Sequence, residues 1–409
     1  MLYFSQFTRC RASNVKRAYT TRRVPALKMQ TLVSGDVKPV TGNLLLARVE
    51  QLGKHRKIER INGRRAFMLP GDEILVCYGN RYAPDQFEAL VGDDLGLCDL
   101  VASGGIAAHE INRHDRMIPA TKIMPIGLVG DVNGRPINIV DYCVDLHVPS
   151  QPITVVLVLG TAMNSGKTYT AASIVWGLKE NGFRVAGIKA TGTGSGGDLW
   201  MMKDMGADVV MDFTDAGFAS TYMIPDREIE QAVLGLIAQA ARRRCAFAVV
   251  EIADGLNHTE TATLIRSQKL RSMTKGVVFA AHDSLGAQAG YRELLALGYS
   301  VLGVSGQVTR SPLAMRETAA NINCPMYTPF AIQAGALMPS LTGTRNLKYA
   351  GTAFTQGREK EDSRPRNVVD FDLSQERLFQ VRHHSEPQEL GSLFSVEEDS
   401  ADGGVTQAG

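Results

Sequence analysis

Long apolar runs are missing from this sequence, and so is any strong excess of charge. We find no apolar stretch of about 18 residues or more without charge, which a membrane-spanning helix would need. The formal net charge is only +2, from 44 basic and 42 acidic residues, which is too small to predict a nucleic-acid partner. We therefore expect no membrane or nucleic-acid partner. A small-molecule substrate is expected, and a homodimer stays open as the assembly.

Cysteine is scarce and shows no pattern. The six cysteines form no CxxC pair and have no histidine near them at the spacing of a zinc site. This favours free, mostly buried thiols in a reducing compartment. We expect a cytoplasmic protein.

Acidic residues are absent from the beginning of the chain, where none precedes Asp36. Residues 1–28 carry seven lysines and arginines among serines and threonines, which is typical of a transit peptide and would make the protein organellar. A translation start placed too early, with Met29 as the true start, explains the same composition. Under both interpretations residues 1–30 are an extension outside the fold.

The rest of the chain changes texture twice. At 409 residues it is long enough for two domains. Short apolar stretches between glycine, proline and asparagine turns predict a small β-rich domain over residues 31–149. Residues 150–345 alternate strand-like and helix-like segments, and residues 346–409 lack periodicity, as in a disordered tail.

The alternating segments predict an α/β domain with a mostly parallel, doubly wound sheet. ITVVLVL at 153–159 is a continuous apolar run, as expected of a strand covered on both faces, and an amphipathic helix ending at Gly182 follows it. The remaining predicted strands are 184–190, 246–252, 276–281 and 300–306.

The turn between the first strand and helix carries the clearest motif, LVLGTAMNSGKTYT at 157–170. Gly160 precedes Gly166 by six residues, so the loop is one residue longer than the GxxxxGK[ST] phosphate-binding pattern. Its context is nevertheless that of a P-loop, because an apolar strand enters the loop and a helix begins at its Lys-Thr pair. The unpaired N–H groups at the start of a helix bind phosphate oxygens. Lys167 would reach the β- and γ-phosphates, and the Thr168 hydroxyl would bind Mg²⁺. The predicted nucleotide contacts are Gly160, Thr161, Asn164, Ser165, Gly166, Lys167, Thr168 and Tyr169.

Polar residues follow the neighbouring strands. Lys189 ends the second strand, where ligands collect in such sheets. It is a candidate for holding an anionic substrate or for stabilising the negative charge that develops on a phosphoryl group during transfer. Glu251 ends a buried strand, where a metal ion is the natural partner of a carboxylate. Asp198 follows the GTGSGG segment and would take a metal or orient a substrate, unless the segment is a mobile polar loop. Asp212 and Asp215 form a polar cluster in which a helix cap explains one residue, and at least one of the two is a candidate for binding substrate or a metal.

Three segments together give a resemblance. GTAMNSGKT, GIKATGTG at 187–194 and VVEIADG at 249–255 are similar, in order, to segments of dethiobiotin synthetase and its relatives. The resemblance implies that Glu251 binds Mg²⁺ and that the turn after Lys189, with Thr191 and Gly192, lies against substrate and phosphates. Ser305, Gly306 and Gln307 stand where that family has its base-recognising asparagine, so the resemblance does not specify adenine.

Two further resemblances compete. LKENGFRVAGIKATGTG followed by KDMGADVVM is similar to MobB, the nucleotide-binding protein of molybdopterin guanine dinucleotide synthesis. The TGTGS and DFTDAG stretches resemble P-loop proteins related to D-glutamate N-acetyltransferase. All three families are P-loop proteins.

Three functions are therefore open. The first is an Mg-ATP-dependent, ligase-like enzyme in which Lys167, Lys189 and Glu251 are catalytic and a carboxylate, carbamate or amine is the substrate, with GTP as the alternative nucleotide. The second is an accessory NTPase of the MobB kind. The third is an acyltransferase whose loop holds the phosphates of coenzyme A.

Overall fold

A computed structural model describes residues 1–147 and 151–343 of the chain. Within these ranges the strands lie mainly in two sheets, a ten-stranded sheet formed by the N-terminal residues and a six-stranded sheet that follows it. The predicted disordered tail, residues 346–409, lies outside the described residues. No helix within the described ranges is long and apolar enough to cross a membrane.

The N-terminal part is built from short strands. They are β1 (Leu2–Gln6), β2 (Lys16–Arg17), β3 (Thr31–Gly35), β4 (Leu44–Gln51), β5 (Lys57–Glu59), β6 (Arg65–Phe67), β7 (Glu73–Tyr78), β8 (Arg81–Tyr82), β9 (Phe87–Leu90), β10 (Cys98–Ala102), β11 (Ile106–Arg113) and β12 (Thr121–Gly130). Five of them close on themselves, because pairing runs from β12 through β4, β7, β11 and β10 back to β12. The predicted β-rich region is therefore a small barrel with added strands and hairpins.

Both faces of the barrel strands are covered. In β4, Leu45, Ala47 and Val49 join one apolar cluster, whereas the alternate residues Leu44 and Leu46 join another. This follows from the two-residue period of a strand, which sends successive side chains to opposite faces. The second cluster includes Phe7, Val15, Val24 and Met29 from the beginning of the chain, which pack against this face of the strands.

The expectation that residues 1–30 lie outside the fold is wrong. β1 pairs antiparallel with β3, and the side chain of Tyr19 is completely buried. Four of its seven basic residues, Arg11, Lys16, Arg22 and Arg23, pair with acidic residues far away in the sequence. Arg11, for example, donates to both carboxylate oxygens of Glu73. The composition of residues 1–30 could not predict these contacts, because they form only in the tertiary structure. A targeting role for the segment stays a prediction.

The six-stranded sheet confirms the predicted parallel fold. Its strands are β13 (Thr154–Gly160), β14 (Val185–Lys189), β15 (Val209–Asp212), β16 (Phe247–Glu251), β17 (Thr274–Ala280) and β18 (Val301–Ser305). They lie in the order β15-β14-β16-β13-β17-β18, and every pairing between neighbours is parallel. The strand that enters the glycine-rich loop, β13, is thus central.

Helices cover both faces of this sheet. They are α2 (Lys167–Glu180), α3 (Gly197–Asp204), α4 (Asp226–Arg242), α5 (Thr259–Leu264), α6 (Gln268–Met273), α7 (Ser284–Ala296), α8 (Pro312–Asn321), α9 (Pro329–Gln333) and α10 (Met338–Thr342), whereas α1 (Arg9–Asn14) belongs to the N-terminal part. α2, α3, α9 and α10 share a core with Val156 and Val158 of β13, whereas α4 to α8 share one with Val155, Leu157 and Leu159. The sheet is therefore doubly wound, as predicted, and the carboxyl ends of β13, β14 and β16 adjoin.

Candidate functional site: a phosphate-binding loop and its polar neighbours

The predicted phosphate-binding loop joins β13 to α2. Gly166 is the N-cap of α2 and has a φ of 95°, a left-handed conformation that glycine adopts without strain. Gly160 is also required, because a Cβ there would lie 2.4 Å from Ser165 Oγ and 2.8 Å from the Ala280 carbonyl oxygen. The ammonium of Lys167 donates to the carbonyl oxygen of Ala162 at 2.7 Å. The loop is therefore closed and compact around the lysine.

The segment that follows β18, with Gly306 and Gln307, packs against the phosphate-binding loop. Gly306 has a φ of 90°, and a Cβ there would lie 2.3 Å from the Ser165 carbonyl oxygen, which accepts a hydrogen bond from the Gln307 N–H at 3.0 Å. The hydroxyl of Ser165 is fully buried and has no hydrogen-bond partner among the described residues. An unpaired buried hydroxyl in this loop fits an oxygen-rich ligand. Ser305 is buried, and its hydroxyl accepts from Thr170 at 3.4 Å.

Four predicted residues from four different segments converge beside the loop. The Thr168 hydroxyl lies 2.9 Å from Asp198 Oδ1 and 3.0 Å from Glu251 Oε1. The Lys189 ammonium lies 2.6 Å from Asp198 Oδ2 and 2.6 Å from Glu251 Oε1. The hydroxyl and the ammonium thus both lie within hydrogen-bonding distance of the same two carboxylates, and the single hydroxyl hydrogen can be donated to either one. The sequence interval from Thr168 to Glu251 spans 83 positions, so only the parallel sheet brings them together.

Burial sets the electrostatics of this cluster. Burial would lower the pKa of Lys189, but the charges of Asp198 and Glu251 outweigh it and raise the pKa above the usual value. Burial raises the pKa of Glu251 even though Lys189 opposes the change. Burial, helped by the nearby Lys189, lowers the pKa of Lys167 to about 8. Among the described residues Lys167 forms no ion pair, whereas Lys189 forms two, and a lysine without a carboxylate partner suits phosphate binding.

The oxygen atoms present also fit Mg²⁺. No group of three or more His, Cys, Asp and Glu side chains in residues 1–147 and 151–343 is placed to hold a metal ion. A P-loop magnesium site needs fewer protein ligands, because nucleotide phosphates and water complete its coordination. Thr168, Asp198 and Glu251 offer a hydroxyl and two carboxylates, and Glu251 Oε2 is buried without a partner among the described residues. The predicted ligand set is therefore chemically adequate.

Asp212 and Asp215, predicted to contact substrate, have protein partners in the structure. Arg22 donates to Asp212 Oδ1 at 3.0 Å and to Asp215 Oδ2 at 2.7 Å, and the Tyr19 hydroxyl donates to Asp212 Oδ2 at 2.6 Å. Arg23 lies 3.3 Å from the second oxygen of Asp215. Burial raises the pKa of Asp215, although Arg22 opposes this change. These carboxylates anchor the N-terminal segment to the parallel-sheet domain, which gives them a structural explanation that the sequence did not supply.

Thr191 and Gly192 lie where the predicted substrate turn should be. The Thr191 hydroxyl is buried and exchanges two hydrogen bonds with Ala253, donating to its carbonyl oxygen at 2.6 Å and accepting from its N–H at 2.8 Å. A Cβ on Gly192 would lie 3.6 Å from Lys189 Cε, so the turn adjoins the polar cluster. Of the other predicted nucleotide contacts, Asn164 is exposed and donates to the Asp85 carboxylate, while Thr161 and Tyr169 are half-buried.

Gly192 also lines a narrow cleft between the barrel and the parallel-sheet domain. The cleft has a free volume of about 10 Å³, room for roughly one water molecule. The residues around it are Tyr82, Gly192, Ser220, Thr221, Tyr222, Ala253, Asp254 and His258. The segment after Asp254 presses on the phosphate-binding loop, since a Cβ on Gly255 would lie 2.2 Å from the Thr161 carbonyl oxygen.

Sequence reasoning missed His258 and Tyr82. The His258 ring packs against Tyr82 with centroids 4.5 Å apart, and its Nε2 lies 3.2 Å from Glu260 Oε2. In the described part of the chain, neither ring nitrogen forms a hydrogen bond. One weak signal for His258 is its spacing, a histidine and a glutamate two residues apart shortly after VVEIADG. Tyr82 had none, because it belongs to the barrel.

Comparisons with known proteins give no family. No family model matches the chain, and no curated protein matches it. Among solved structures, the signal recognition particle receptor FtsY from Elizabethkingia anophelis in complex with GDP is 14% identical, with a TM-score of 0.34 over 49% of this chain and 66% of that one.

Two other solved structures are similar to the same extent. A DUF1611 family protein from Anabaena variabilis is 17% identical, with a TM-score of 0.35 over 51% of this chain and 64% of its own. The signal recognition particle 54 kDa protein from Aeropyrum pernix in complex with GDP is 19% identical, with a TM-score of 0.29 over 48% and 50%. The chain thus spans half to two thirds of these three proteins. The geometry of the chain itself, in which the central strand β13 leads through the glycine-rich loop into the start of α2, is that of a P-loop domain, as predicted.

Proposed function

We propose that the protein is an Mg²⁺- and nucleoside triphosphate-dependent enzyme that transfers the γ-phosphoryl group to a small carboxylate, carbamate or amine. The observation that carries this proposal is the cluster beside the phosphate-binding loop, in which Lys189 bridges Asp198 and Glu251 and the Thr168 hydroxyl lies within hydrogen-bonding distance of both. A loop that merely binds nucleotide does not need a second buried lysine between two carboxylates.

Each residue has a role in this chemistry. Backbone N–H groups at the start of α2 and the Lys167 ammonium bind the β- and γ-phosphates. Thr168, Asp198 and Glu251 would hold Mg²⁺, which neutralises charge on the phosphates when bound. Lys189 stabilises the negative charge on the transferring group. The acceptor atom forms a bond to the γ-phosphorus, the bond from that phosphorus to the bridging oxygen breaks, and the nucleoside diphosphate leaves.

The cleft beside Gly192 is the proposed acceptor site. It adjoins Lys189 on one side and the phosphate-binding loop on the other. Because its free volume holds about one water, an acceptor enters only when Tyr82 or the facing segment moves. For an amine acceptor, His258, whose Nδ1 has no hydrogen-bond partner among the described residues, would take the proton that the amine loses, whereas a carboxylate or carbamate has no proton to lose.

The direct test is release of nucleoside diphosphate from Mg-ATP and Mg-GTP, measured in a coupled assay with a panel of small carboxylates and amines. Turnover that depends on one acceptor supports the proposal. Slow hydrolysis that no acceptor stimulates, but that a co-purified protein does, would favour the accessory NTPase. Acyl-CoA binding without nucleotide binding would favour the acyltransferase.

Replacing His258 with alanine tests the acceptor site separately. We expect turnover with an amine acceptor to fall about 100-fold or more, the usual contribution of general acid or base catalysis. Nucleotide affinity should be unchanged, because His258 belongs to the cleft and not to the loop. His282, which is exposed after β17, gives the matched control in an H282A variant. Equal turnover in H258A and H282A would remove His258 from the mechanism.

A further inference from the structure

A buried carboxylate of the barrel contacts the loop that carries Asp198. Glu59, the last residue of β5, is 1% exposed. Its Oε1 accepts from the Trp200 indole N–H at 2.8 Å, and its Oε2 accepts from the Gly196 N–H at 3.0 Å and the Ser195 hydroxyl at 3.1 Å. All three donors lie in or next to the beginning of α3. A barrel side chain thus binds a segment of the parallel-sheet domain.

The fit around these bonds is tight. A Cβ on Gly196 would lie 2.3 Å from the Trp200 indole nitrogen and 2.5 Å from Glu59 Oε1. The barrel glycine Gly104 lies so close to the same loop that a Cβ there would be 2.0 Å from the Gly194 carbonyl oxygen. Trp200 also packs edge-on against Tyr19, with centroids 6.1 Å apart. The barrel therefore fixes this loop from outside.

The same loop delivers a predicted metal ligand. Asp198 lies in the first turn of α3, two residues after Gly196. Its two oxygens lie 2.9 Å from the Thr168 hydroxyl and 2.6 Å from the Lys189 ammonium. The six residues before it include four glycines, so the chain has little intrinsic stiffness and needs external contacts to hold Asp198 in place.

We propose that Glu59 is a positioning residue for the phosphoryl-transfer site, and that the barrel orders Asp198 through it. This inference rests on the function proposed above. Glu59 does not touch nucleotide or acceptor. It acts through Gly196 and Trp200 on Asp198, and through Asp198 on Thr168 and Lys189.

The test variant is Glu59→Gln, which keeps the size of the side chain but replaces one acceptor oxygen by an amide that cannot accept. We expect kcat to fall about 10- to 100-fold, as for residues that orient metal ligands. The Mg²⁺ concentration that gives half-maximal turnover should rise. The Kd for nucleotide should stay within about twofold, because the phosphate-binding loop keeps its contacts. Glu50→Gln is the matched control, since Glu50 is exposed on β4 and bonded to Arg48.

A double-mutant cycle separates positioning from general destabilisation. If Glu59 acts through Asp198, E59Q should add little to the loss of kcat already caused by D198N, so the two effects are not additive. Full additivity in the E59Q/D198N variant would overturn the proposal. So would an E59Q enzyme with unchanged kcat and unchanged Mg²⁺ dependence.

A measurement without turnover keeps the inference distinct from the proposed function. Hydrogen exchange of residues 192–200 should be faster in E59Q than in wild type or E50Q. The chain has two tryptophans, Trp176 and Trp200, so the fluorescence of Trp200 is measured in a W176F background, where it should change on addition of E59Q. Unchanged exchange and fluorescence would refute positioning even in an active enzyme. If these readouts change as expected but wild-type protein shows no nucleotide turnover, the proposed function fails and the loop contact stands.

Discussion

Substitution of Glu251 by glutamine is expected to lower nucleotide turnover about 100-fold or more while nucleotide still binds. Glu251 Oε1 accepts from both Thr168 and Lys189, and its second oxygen is buried and unpaired within the described residues. The amide removes the negative charge that would hold Mg²⁺ against the phosphates, and losses of this size are usual when one preorganised electrostatic contact is removed. Steady-state kinetics and calorimetric titration of the same preparation measure the two quantities.

Glu180→Gln is the matched control for this experiment. Glu180 is the exposed last residue of α2, on the domain that carries Glu251. It should turn over nucleotide like wild type. An E251Q enzyme that matches E180Q in kcat would remove Glu251 from catalysis, and a loss of nucleotide binding equal to the loss of turnover would make its role one of affinity.

Substitution of Arg22 by alanine is expected to lower the free energy of unfolding by about 3–5 kcal/mol, the usual cost of breaking a buried ion pair. Arg22 bonds Asp212 and Asp215, and its removal leaves two buried carboxylates close together without that cation. Urea denaturation measures the loss. Arg22→Lys keeps the charge but not the two-pronged geometry, so it should lose less and remain measurable if R22A does not fold.

The exposed Arg9, on α1, provides the matched control as R9A, which should leave stability unchanged.

Urea denaturation also tests whether residues 1–28 contribute to the stability of the fold. A protein starting at Met29 lacks Tyr19, Arg22 and Arg23 and should be destabilised at least as much as R22A. Equal stability of the truncated and full-length proteins would contradict the structural role of residues 1–28.

Local sequence patterns predicted the parallel-sheet domain well because each of its strands and helices corresponds to a short segment with its own pattern of apolar residues. The apolar run 153–159 became β13, and the helix predicted to end at Gly182 became α2, ending at Glu180. Lys189 and Glu251 could be predicted to adjoin because both end strands of one parallel sheet. Their roles in binding and catalysis stay predictions.

Contacts between the barrel and the parallel-sheet domain could not be predicted from the sequence. Glu59 and Trp200 are separated by 141 positions, and Tyr19 and Asp212 by 193. No periodicity or motif links such pairs, since each depends on how the barrel docks onto the parallel sheet. For the same reason the barrel's contribution to the cleft, through Tyr82, was not foreseen.

The measurement that tests the central claim most directly is calorimetric titration of Mg-ATP and Mg-GTP into wild type, K167A and K275A. Lys275 is exposed on β17 and serves as the control. Wild type and K275A should bind at least one nucleotide equally well, and K167A should bind it about 10- to 100-fold more weakly, the value of a hydrogen bond from a charged group. Equal affinity of K167A and wild type, or no binding of either nucleotide to wild type, would contradict the account.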